Sequence, residues 1–307
     1  MALLLLDDTR TRSILDPVQL IAALRQAFLD LRNGDFELPQ RVSLADSRYL
    51  VMPTRHRPSD SLVVKSLSLV PDRSPMISGL VSWSTAAHDL SVVAPAETIT
   101  ALRTGAITGL ATDLLADRSA CSLVIFGAGA LAADQVRFVH AVRPLRSVTF
   151  VARTPARAAQ LVQRLQPELP NTAFMITTPA DRELAGADIV CCATTSEEPL
   201  FAASELGTDV HVNAVGSFRP AMREFGADLI GGASAIVVDD LAACMLESGE
   251  LIDGVRSGAT SADRITELVA VADSTLRPGG RTIFKSVGIA IQDWAAMDLL
   301  ARAALAA

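Results

Sequence analysis

The chain has 307 residues; half are hydrophobic, 20% are charged and the formal net charge is −7. This composition excludes a disordered chain and supplies apolar surface for one large or two ordinary domains. The acidic balance argues against nucleic acid as a partner. The Leu3–Leu6 run, closed by Asp7 and Asp8, is too short for a signal peptide or a membrane span, so a cytoplasmic protein is expected.

Along the chain, the leucine run reads as a strand. A helix then begins at Asp16 (N-cap) and Pro17, repeats Leu20, Ile21, Leu24, Phe28 and Leu31 at helical spacing, and stops at Asn33-Gly34. From Arg41 to Val93 short strands are expected, among them Leu62–Lys65 and Gly79–Trp83, with a turn at Pro71-Asp72-Arg73-Ser74-Pro75. Glu97 to Ala116 reads as a helix with apolar positions at Ile99, Leu102, Ile107, Leu110 and Leu114.

After Ser119 the pattern becomes alternating strand and helix. The expected strands are Leu123–Phe126, Val148–Val151, Ala173–Ile176, Ile189–Ala193, Val210–Val215 and Ile236–Val238. Ser286 to Ala306 reads as a last helix, with Val287, Ile291, Trp294, Ala295 and Leu299 on one face. The fold class is therefore α/β: a Rossmann-type domain over residues 117–288, and an α+β domain made of 1–116 with 289–307.

Gly127-Ala128-Gly129-Ala130-Leu131-Ala132 follows a buried strand and opens a helix. Glycines there allow a tight turn and close approach of a pyrophosphate to amides at a helix N-terminus. The second strand ends in Ala152-Arg153-Thr154, where a site for NAD carries an acid on the ribose 2′-hydroxyl. Arg153 can clamp a 2′-phosphate and Thr154 can add a donor, which favours NADP(H) over NAD(H).

Of the 27 basic residues, only Lys65 and Lys285 are lysines. Lys65 lies in a strand that otherwise reads as buried and Arg103 on a helix with an apolar face, so each calls for a counter-charge, a wet cleft or an anionic ligand. Cys121, Cys191, Cys192 and Cys244 have no metal-ligand spacing, nor do the scattered histidines, so no metal is expected and the cysteines read as reduced core thiols.

The chain resembles the ornithine cyclodeaminase and mu-crystallin family over almost its whole length. The likeness rests on Pro39-Gln40-Arg41, Val64-Lys65, Ala101–Gly105, Gly127-Ala128-Gly129, Val215–Pro220, Glu247–Glu250 and Thr282–Gly288, in order. It implies Arg41, Lys65 and Arg103 around a substrate carboxylate, with Lys65 and Arg103 as catalytic residues and Glu250 as a further substrate-binding carboxylate. It implies cofactor contacts from Thr104, Gly127, Ala128, Gly129, Ala130, Leu131, Arg153, Thr154, Thr194, Thr195, Val215, Gly216, Ser217, Ser286 and Val287, and a homodimer built through the first lobe.

One position departs from the cyclodeaminase branch. Where that branch has an acid/base Asp, this chain has Phe218, which cannot exchange protons. The Ser-Phe-Arg-Pro segment resembles the ketimine reductase branch instead. The expectation is hydride transfer from NAD(P)H to a cyclic imino acid, Δ1-pyrroline-2-carboxylate or Δ1-piperideine-2-carboxylate. Alternatives are ornithine cyclodeamination using Asp239, Asp240 or a water, alanine dehydrogenation, and a non-catalytic NADPH-dependent binder of small molecules.

Overall fold

The computed structural model describes residues 2–45, 48–70, 73, 76–274 and 278–306. Apart from Arg73, the expected turn at 71–75 lies outside these residues. Contacts divide the chain into two units, Met1–Ile107 with Gly288–Ala307, and Thr108–Val287.

The first unit opens with β1 (Ala2–Leu5), α1 (Asp8–Ile14) and α2 (Pro17–Arg32). As the sequence suggests, the Asp16 side chain accepts from the Gln19 amide, Pro17 occupies the first turn and Asn33 closes α2. The strands β2 (Phe36–Glu37), β3 (Val42–Leu44), β4 (Tyr49–His56), β5 (Ser61–Leu69), β6 (Ile77–Thr85) and β7 (Leu90–Pro95) follow. They form a mixed sheet in the order β1-β7-β6-β5-β4-β2, with β3 on β4 and β1 parallel to β7. Strict alternation along β5 turns Val63, Lys65 and Leu67 to the inner face, where α10 (Ala290–Leu305) packs.

Two helices depart from expectation. The last one begins at Ala290 rather than near Ser286, because Gly288 takes a φ of +82° and the Val287 amide donates to Asp239 instead of entering a helix. It is buried nearly all round rather than on one face. The same holds for α3 (Ala96–Leu115), which runs through the boundary between the units and exposes almost nothing on any side.

The second unit carries β8 (Ser122–Phe126), α4 (Ala132–Val142), β9 (Ser147–Val151), α5 (Pro155–Leu165), β10 (Ala173–Thr177), β11 (Ile189–Cys192) and β12 (Val210–Ala214). Then come α6 (Ala227–Gly231), β13 (Ala235–Val238), α7 (Leu241–Glu247), α8 (Gly249–Arg256), β14 (Ile265–Glu267), α9 (Leu268–Val271) and β15 (Arg281–Lys285). All six expected strands are present, and β14 and β15 were not anticipated. Arg281–Lys285 escapes notice because five residues entered from a long connection carry little periodic signal. It nevertheless lies inside the sheet, between β12 and β13.

The sheet order is β10-β9-β8-β11-β12-β15-β13-β14 and every pairing is parallel. Its inner strands β8, β11, β12, β15 and β13 are largely buried on both faces, as parallel strands covered by helices must be, while the edge strand β10 is mostly exposed. Cys191 and Cys192 are buried thiols on opposite faces, and burial raises both above the usual range, Cys191 to about 12. The chain leaves β8 in one direction for β9 and β10 and returns beside β8 as β11. That reversal is the topological switch point at which doubly wound sheets bind ligands.

Candidate active site

Within the first unit, cations from distant parts of the chain converge. Lys65 is 2% exposed, and its Nζ sits 2.9 Å and 2.7 Å from the two carboxylate oxygens of Asp293 on α10. Arg103, from α3, donates through Nη1 to Gln292 Oε1 at 2.7 Å, with its Nε 3.8 Å from Asp293 Oδ1. Arg41 donates to the Gly288 carbonyl at 2.6 Å. Both arginines thus meet the entry to α10. A Cβ on Gly288 would lie 2.6 Å from Arg103 Nη1, so the guanidinium can rest there only over a glycine.

Burial and the neighbouring Arg103 and Arg41 charges lower Lys65 to about 8, against the upward pull of Asp293. The result is an ammonium that is still charged at neutral pH yet much more acidic than usual. An incoming carboxylate would be drawn to a cluster where guanidiniums already press on an ammonium in a dry setting.

In the second unit, β8, β9, β11, β12 and β15 end in register, which gathers the following turns at one edge of the sheet. Gly127 has a φ of +103°, and a Cβ on it would approach the Ala193 carbonyl to 2.7 Å. Gly129 is the opposite case: a Cβ there would meet nothing within 4 Å, leaving an open cradle. The helix that follows, α4, has Leu131 at its N-cap and no side-chain cap. Open space beside uncapped amides fits a pyrophosphate. Arg153 and Thr154 are exposed at the end of β9, and the Thr154 hydroxyl makes no cap to α5.

The remaining turns are braced by buried carboxylates. Glu224 accepts from the amides of Thr194 (2.6 Å), Gly216 (2.9 Å) and Ser217 (3.3 Å), and from the Thr194 hydroxyl at 2.8 Å. Burial raises its carboxyl above the usual range, against Lys285. A Cβ on Gly216 would lie 2.2 Å from the Thr194 backbone, so only glycine allows these turns to touch. Asp239 accepts from the Ser286 hydroxyl at 2.6 Å and the Val287 amide at 3.3 Å. Thr195 is exposed on the same edge, and Val215 is buried.

Several expected site residues have their side chains engaged elsewhere. Glu250, expected at a substrate, is 2% exposed in the second unit; its carboxylate serves Ser217, Ser248 and the Glu224 amide, while Asp293 is the carboxylate beside Lys65. The hydroxyls of Ser217 and Ser286 turn inward to Glu250 and Asp239, leaving mainly their backbone to offer a cofactor. The acids considered for a cyclodeaminase are engaged: Asp239 as above, and Asp240 in capping α7 through Ala243. Phe218 lies under the Arg219 guanidinium, 5.3 Å from ring centroid to Cζ. Sequence reading missed Asp293, Gln292 and Glu224. A Gln-Asp pair inside the apolar first half of the helix was the available signal for the first two.

A parallel, doubly wound sheet with a glycine cradle at its switch point defines a Rossmann-type dinucleotide-binding unit. The chain belongs to the Ornithine cyclodeaminase/mu-crystallin family, whose profile matches residues 2–306. It is 33% identical over 260 residues to the Δ1-pyrroline-2-carboxylate reductase of Bacillus cereus, covering 80% of this chain and 78% of that protein. Among solved structures it is similar to Thermococcus litoralis Δ1-pyrroline-2-carboxylate reductase in complex with NADH and L-proline. The TM-score is 0.90 at 26% identity, covering 98% of this chain and 97% of that one. An archaeal alanine dehydrogenase dimer with bound NAD, 22% identical with a TM-score of 0.88, shares the fold over 100% of this chain and 97% of its own. No helix among the described residues is long and apolar enough to cross a membrane.

Proposed function

We propose that the chain is an NAD(P)H-dependent reductase of a cyclic 2-imino acid, with Δ1-pyrroline-2-carboxylate as substrate and proline as product. The observation that carries this reading is the Arg41, Lys65 and Arg103 cluster, with Asp293 against Lys65, in a chain similar to reductases of that imino acid. Arg41 and Arg103 hold the carboxylate and fix the ring. Lys65, oriented by Asp293, gives its proton to the imine nitrogen, since a protonated iminium is the better hydride acceptor.

Gly127–Leu131 would hold the dinucleotide's pyrophosphate, with Thr194, Thr195 and the backbone of Val215–Ser217 and Ser286–Val287 as its further contacts in the second unit. Nicotinamide, when bound, supplies the hydride. Arg153 and Thr154, exposed and uncommitted to a cap, support NADP(H) over NAD(H).

The reading includes a homodimer. The outer face of the first unit's sheet carries Leu3, Leu5, Leu62 and Leu80, all exposed, among Ser66, Ser82 and Ser91, with the Arg55 ion pairs beside Leu62 at its β4 side, and this largely apolar surface suits a second copy of the chain. Free cysteines suit the cytoplasm.

The deciding experiment mixes purified protein with Δ1-pyrroline-2-carboxylate and NADPH or NADH, and follows nicotinamide absorbance and proline formation. Oxidation of cofactor with equimolar proline is expected. No turnover, together with ammonia release from ornithine in the presence of NAD, would overturn the reading.

A further inference from the structure

The second unit holds three buried charges that the reaction above leaves unused. Lys285, the last residue of β15, is fully buried. Its Nζ donates to the Ser217 carbonyl at 2.7 Å and to the Ser217 hydroxyl, and lies 3.5 Å from Glu250 Oε1. The Ser217 hydroxyl donates to the same Glu250 oxygen. Glu250 also accepts the amide of Glu224 at 3.2 Å, and Glu224 holds the amides of Thr194, Gly216 and Ser217.

Charges sealed from water in this way are a poor means of gaining stability, because apolar side chains of equal volume do as well. What the set does is fix backbone. Nearly every group it grips belongs to the turns after β11 and β12, or to the end of β15, and these strands are adjacent. The Gly127–Leu131 cradle and Arg153 lie in the other half of the sheet, which in doubly wound folds takes the adenosine end of a dinucleotide.

We propose that Lys285, Glu250 and Glu224 form a positioning network that sets the turns at Thr194 and Gly216-Ser217 for the nicotinamide end of the cofactor. The proposal rests on the dinucleotide site described above. It separates the two ends of the ligand: the network serves nicotinamide, and the glycine cradle serves the pyrophosphate and adenosine.

The test compares the whole protein with its Lys285→Met and Glu250→Gln variants. It measures NADH affinity by fluorescence, ADP-ribose affinity by calorimetry, kcat, and KM for the imino acid. The expected result is weaker NADH binding, unchanged ADP-ribose binding, a kcat lowered about 100-fold and an unchanged KM for the imino acid. Equal losses for NADH and ADP-ribose, or a lower melting temperature with both affinities and kcat intact, would overturn it.

If Lys285→Met fails to fold, Glu224→Gln serves instead. It keeps the shape but turns an NH2 toward either the Thr194 amide or the Gly216 and Ser217 amides, and the same split is expected. Failure of the underlying reading looks different: the unaltered chain would not bind NADH at all. If it bound NADH but did not turn over the imino acid, the substrate assignment alone would fall, and the affinity split would still decide the network.

Discussion

The two units face anionic ligands by opposite means. In the second, glycines and an uncapped helix present backbone amides, and the charged side chains sit behind the turns as braces. In the first, charged side chains themselves converge, Lys65 and Arg103 meeting Asp293 and both arginines reaching the start of α10. A backbone site depends on shape and tolerates little added volume. A side-chain site depends on charge, so its members can be removed one at a time. Substitutions should therefore divide cleanly between cofactor and substrate effects.

The sharpest division should come from Lys65→Met, which removes the proposed proton donor. A loss of roughly 10²–10⁴-fold in kcat is expected with NADH affinity unchanged, and stopped-flow turnover with fluorescence titration would check both. The unaltered protein should also show kcat/KM level below pH 8 and falling above it. Lys65 is lowered to about 8, and the reduction draws on its protonated form. A profile flat through pH 9 would remove Lys65 from the proton's path.

Arg103→Leu or Arg41→Leu should raise KM for the imino acid about 10–100-fold by deleting a charge-assisted contact to carboxylate, leaving cofactor affinity in place. In the other unit, Gly129→Ala fills the open cradle. It should weaken both nucleotides by about tenfold while the melting temperature holds, since the added methyl meets no protein atom. The smallest effect is expected for Arg153→Ala, which should cost NADPH more than NADH by roughly 0.2–1 kcal/mol, the range for an exposed charge pair. Equal losses for the two cofactors would discard the 2′-phosphate clamp.

The same contrast explains what the sequence disclosed. The glycine loop was legible because its parts are contiguous: a buried strand, G-x-G-x-x-A and a helix within one short stretch. So was α2, whose cap and stop are local. Asp293 was not, because it pairs with a lysine 228 residues away, and nothing local in its helix names that partner. The surroundings of Glu250 were hidden for the same reason: a family segment gives its position along the chain and not the fact that Lys285 and Ser217 close over it. Gln292 and Glu224 act through long-range contacts in the same way.

The two lysines have a consequence for chemical labelling. Both are buried, and every other basic residue apart from the four histidines carries a guanidinium, far less reactive than an amine toward acylating and simple aldehyde reagents. Apart from the chain's α-amino group, such a reagent finds no amine at the surface. The side-chain amine with an appreciable free-base fraction near pH 8 is Lys65, while Lys285 is held above its ordinary range by Glu250 and Glu224 in spite of burial. A small anionic aldehyde should therefore have Lys65 as its one side-chain site besides the α-amino group, the Lys65 adduct being readable by peptide mass and blocked by the substrate carboxylate.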